Sequence, residues 1–103
     1  MEKYNIADLV SVIGVPAMLE QAAEETTELG FACLKYARML RGDNKVHGRT
    51  KEELIDNLTE EIADIQICIW QMMSSGIVKE SEVESIIKMK AERMRNRLEA
   101  DHD

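Results

Sequence analysis

Two pairs of acids recur at one spacing in this chain: Glu25 with Glu28, and Glu61 with Asp64. Residues three apart on a helix share a face, so each pair presents two oxygen donors in one direction. Laid out at about 100° per residue, Met18, Ala22, Leu29, Ala32, Tyr36 and Leu40 form one apolar stripe, and Glu25 falls near its centre. A carboxylate withdrawn from water is costly unless something compensates its charge. The fold must therefore supply a cation, a proton or a metal. Glu61 and Asp64 flank an apolar stripe on a later helix, on the side of Cys68, where they could face Glu25 and Glu28 across an antiparallel seam. Four such oxygen ligands suit Mg²⁺, which prefers hard donors, keeps several waters and binds substrate phosphates at the same time. Either pair alone is also what a solvated helix face would carry. The position of Glu25 and the repeated spacing favour the metal.

Misplaced cations point the same way. On the last helical segment, Val83, Ile86, Ile87, Met94 and Leu98 define an apolar face, and Lys90 and Arg97 lie on it with Arg93 at its edge. Such side chains can snorkel to water. Gathered on one side, they could also grip phosphate oxygens, Arg as a fork and Lys as a point charge. Lys35 sits two turns after Glu28 on the same flank and joins them. Trp70 is a candidate for stacking on a base, although a lone Trp on a helix is more often core or interface.

The elements that must position these residues are helical. Glu, Ala, Met, Leu, Ile and Lys abound, there is one proline, and aromatics make up 4% of the chain, which predicts an all-α class. At 103 residues this is one domain with a thin core, which oligomerisation would strengthen. A short first helix is predicted over residues 6–13 behind Asn5. The second opens at Pro16 and runs to Arg41, with Gly42 as its stop. Residues 42–49 form a polar loop with Lys45, His47 and Arg49. Thr50 and Glu53 make a capping box for the third helix, which ends near Gly76. Leu54, Leu58, Ile62, Ile65, Ile69 and Met72 give it a main stripe, while Ala63, Ile67, Trp70 and Met73 spread apolar character to the other side. A helix of that kind is covered on both faces, and the simplest second cover is another subunit. A second box, Ser81 and Glu84, announces the last helix, which runs to about Glu99.

The formal net charge is -7, which argues against a nucleic-acid backbone as partner. Much of the excess is local: of 20 acids, five are Glu24, Glu25, Glu28, Glu61 and Asp64, and the other 15 stand against 13 bases. Cys33 and Cys68 form no CxxC or Cys/His cluster and read as small core residues in a reducing compartment. With neither a signal-peptide pattern nor a long apolar span, a cytoplasmic protein without membrane contact is expected.

With these residues in place, the chain resembles the MazG-like nucleoside triphosphate pyrophosphohydrolases of the all-α type. The Glu-Glu-x-x-Glu motif stands as Glu24, Glu25, Thr26, Thr27 and Glu28, and Glu-x-x-Asp as Glu61 to Asp64. Segments such as VIGVPAMLEQAAEETTEL, EEIADIQICIWQM and KAERMRNRLE are similar to a phage-type branch whose last helix carries Lys-x-x-Arg-x-x-x-Arg, here Lys90, Arg93 and Arg97. The resemblance spans residues 12–99. It implies a four-helix-bundle-like fold assembling as dimers or tetramers, Mg²⁺ or Mn²⁺ as cofactor, and hydrolysis of a nucleotide to its monophosphate and pyrophosphate. Carried over by position, Glu25, Glu28, Glu61 and Asp64 are the metal ligands. Glu24, which points away from the stripe, would bind a second metal, orient water or support the motif. In that chemistry a metal-activated water attacks in line and no covalent nucleophile is needed.

Three other readings are open on the sequence. A di-iron carboxylate bundle uses two Glu-x-x-His pairs; here Asn44 stands where His47 would need an acid, and Glu99 with His102 gives one match, in the tail. A helical interaction protein would use the apolar third helix for docking and leave its acids solvated. A catalytically silent relative would keep the motifs without the activity.

Overall fold

The computed structural model describes residues 12–42 and 48–102. The predicted first helix and loop fall largely outside these residues; Val12 and Ile13 are helical. The described residues form three helices and no strand: α1 (Val15–Arg41), α2 (Lys51–Ser74) and α3 (Glu80–His102).

Local chemistry sets each boundary. Pro16 lies in the first turn of α1, where its missing N–H would have found no partner in any case. Gly42 ends that helix with φ +71°, in the left-handed region, and its N–H donates to the Met39 carbonyl. At the start of α2 the predicted box is complete: the Glu53 N–H donates to Thr50 Oγ1 at 3.1 Å, and the Thr50 N–H donates to Glu53 Oε1 at 3.0 Å. The second predicted box is not where α3 starts. That helix begins at Glu80, so Ser81 is already inside it, and the Val83 N–H donates to the carbonyl of Lys79 at 3.1 Å. The acids Glu80 and Glu82 occupy its first turn and suit the positive end of the helix dipole without a serine cap.

Helices α1 and α2 pack along one another, whereas α3 makes only marginal contact with either. Glu25 and Asp64 meet although each lies roughly four turns from the connection, as an antiparallel pair requires. The core between the two helices is Met18, Ala22, Ala32, Leu54 and Cys68. Met18 and Leu54 are the large side chains fully buried there, each contributing about 1.5–3 kcal/mol by transfer from water. The radius of gyration is 17.5 Å, against about 13 Å for a compact domain of 100 residues. One chain by itself leaves much apolar surface uncovered.

Four sequence expectations need correction. On α1 the stripe is buried at Met18, Ala22 and Ala32 and half-buried at Leu29 and Tyr36, but Leu40 is exposed. Cys68 is a core residue; Cys33 is exposed. On α2, two seven-residue patterns run side by side, and α1 covers the more polar one. Leu54, Glu61, Asp64, Cys68 and Gln71 follow it, and Leu54, Cys68 and Gln71 are buried. The other pattern, Ile55, Leu58, Ile62, Ile65, Ile69 and Met72, is largely the predicted main stripe, and its Ile55, Ile62 and Ile69 are exposed. The predicted apolar face of α3 is also open, with Ile86, Ile87, Met94 and Leu98 all exposed.

Candidate metal centre

Helix α1 brings Glu25 and helix α2 brings Glu61 and Asp64 to one place: carboxylate oxygens of the three lie within 4.8 Å of one another. All three residues are half-buried. Among the described residues this is the group of acids, cysteines and histidines that converges closely enough for a metal ion. Glu61 Oε2 is buried and has no hydrogen-bond partner among the described residues, an expensive position for an acceptor.

Crowding of like charges perturbs the site. Desolvation holds the Glu25 carboxyl above the usual carboxylate range, followed by the charges of Asp64 and Glu61, a hydrogen bond with Asp64, and Glu28. Glu61 is raised in the same way, by desolvation and then by Asp64, Glu28 and Glu60, while Lys35 pulls it down. Burial pushes the Cys68 thiol up, and the charges of Glu25 and Asp64 add to that. Such a cluster is eased by a shared proton or by a divalent cation. Its donors are hard oxygens throughout, a set that fits Mg²⁺ or Mn²⁺ rather than a thiophilic metal.

The other expected site residues divide by location. Glu28 is exposed on the flank, outside the converging set, yet near enough to raise both Glu25 and Glu61. Glu24 is exposed and not part of that set. Lys35 is half-buried on α1 and acts on Glu61. Trp70 is half-buried on α2. Lys90, Arg93 and Arg97 are exposed on α3, which does not pack against the hairpin, so one chain does not bring them to the acids.

Thr26 and Thr27, between the acids of the first motif, are turned into their own helix, both donating to the carbonyl of Ala23 at 2.8 and 3.1 Å. Gln71 is a residue that the sequence reading did not single out. It is 5% exposed, and its Oε1 has no hydrogen-bond partner among the described residues. The signal was its place three residues after Cys68 and seven after Asp64, on the polar seam of α2.

No protein-family model matches the sequence, and no curated protein or solved structure matches it. The functional reading therefore rests on the residues themselves.

Proposed function

We propose that the chain is a Mg²⁺-dependent nucleotide pyrophosphohydrolase, cleaving a nucleoside or deoxynucleoside triphosphate to the monophosphate and pyrophosphate. The observation that carries this reading is the convergence of Glu25, Glu61 and Asp64 around a buried Glu61 oxygen that has no hydrogen-bond partner among the described residues. These three residues would hold the cation, with Glu28 on the flank as a further ligand. When bound, Mg²⁺ supplies charge neutralisation on the phosphates and activation of water. Glu24, exposed beside the site, would orient that water or support the motif. Lys35, already close to Glu61, would bind a phosphate oxygen. Trp70 would stack on the base. Lys90, Arg93 and Arg97 would complete the phosphate grip in an assembled dimer or tetramer.

The assembly in this reading uses the seam of Ile55, Ile62 and Ile69, since a seven-residue apolar repeat left open to water is what a partner helix covers. The test is incubation of the purified protein with a panel of nucleoside and deoxynucleoside triphosphates, in Mg²⁺ or in EDTA, with the phosphate products identified. Mg²⁺-dependent release of monophosphate and pyrophosphate is the expected result. No turnover across the panel, together with no rise in melting temperature on adding Mg²⁺, would overturn it.

A second reading draws on a separate observation, the exposure of the apolar face of α3. In that reading the chain is a helical interaction protein, or a silent relative of the enzymes, and its acids are structural. It predicts partner binding that is indifferent to Mg²⁺ and EDTA.

A further inference from the structure

We draw no further inference here: the strongest candidate, the Gln71 side chain on the seam of α2 that faces α1, is buried with an Oε1 that has no hydrogen-bond partner among the described residues, but nothing in the structure shows what would donate to it.

Discussion

Glu25 and Glu61 behave as parts of one charge cluster, and their linkage to folding has a definite sign. Their carboxyls titrate higher in the folded chain than the ordinary value of 4.5. A raised carboxyl contributes stability that is complete below its unfolded pKa and is lost as pH rises through its folded pKa. The metal-free protein is thus expected to melt at a higher temperature near pH 5 than at pH 7.5, and Mg²⁺ should shrink that difference by stabilising the ionised cluster. Thermal melts at both pH values, with Mg²⁺ or EDTA, check this; a metal-free melting temperature that climbs steadily from pH 5 to 7.5 would count against it. Glu53 has the opposite sign. Its hydrogen bonds with Thr50 hold it below 4.5, so its contribution is present above that value and lost as pH falls through its folded pKa. Glu61→Gln removes a proposed ligand while keeping the shape of the side chain. It is expected to abolish nucleotide turnover and the Mg²⁺-induced rise in melting temperature, while raising metal-free stability at pH 7.5 by removing a crowded charge. Retention of wild-type turnover would sink the ligand assignment.

At the scale of elements, the sequence was legible wherever the signal was local. Pro16, Gly42 and the Thr50–Glu53 box bound α1 and α2 within one or two residues of the predicted ends, because caps act through hydrogen bonds a few residues long. Loss of the Thr50 side chain in Thr50→Ala is accordingly expected to cost about 1 kcal/mol, measured by urea denaturation. An unchanged midpoint would mean that the box is energetically idle. The meeting of Glu25 with Glu61 and Asp64 was legible as well, since the i, i+3 spacing and the antiparallel pairing leave few registers. What could not be read was the side of α2 that faces α1. Its two seven-residue patterns are one position apart, so the face follows from a rotation of about 100°, and apolarity alone selects the wrong one. The start of α3 was misread for a related reason: Ser81 and Glu84 have the spacing of a box, but spacing does not require a helix to begin there.

At the scale of the whole molecule, the chain divides into a hairpin that holds the acids and a helix that stands apart from it. No helix of the described residues is long and apolar enough to cross a membrane, and Ile55, Ile62 and Ile69 are exposed along α2. Under the proposed assembly the wild type is expected to form a dimer or larger species, and Ile62→Asp with Ile69→Asp, which places two charges on the seam of α2, is expected to leave a monomer near the chain mass of 11.7 kDa. Light scattering coupled to gel filtration distinguishes the two, and a wild type that is itself monomeric at high concentration would refute the assembly. An all-round apolar α2 led the sequence to expect a second cover, and within the described residues Ile55, Ile62 and Ile69 stay exposed. Nothing in the pattern of residues 80–102 says that α3 forgoes its own hairpin.

That detachment has a consequence for the lifetime of a newly made chain. Helices in proteins draw most of their stability from tertiary packing, which α3 lacks within one chain, and α3 carries Lys88, Lys90, Arg93, Arg95 and Arg97 within ten residues. Segments that open readily are cut in proportion to the fraction of time they spend open. Dilute, unassembled copies should therefore lose this arm to trypsin well before the hairpin is cut, and concentrated copies should keep it. The protein would then carry a built-in census, in which orphan copies are clipped and those that have found company endure.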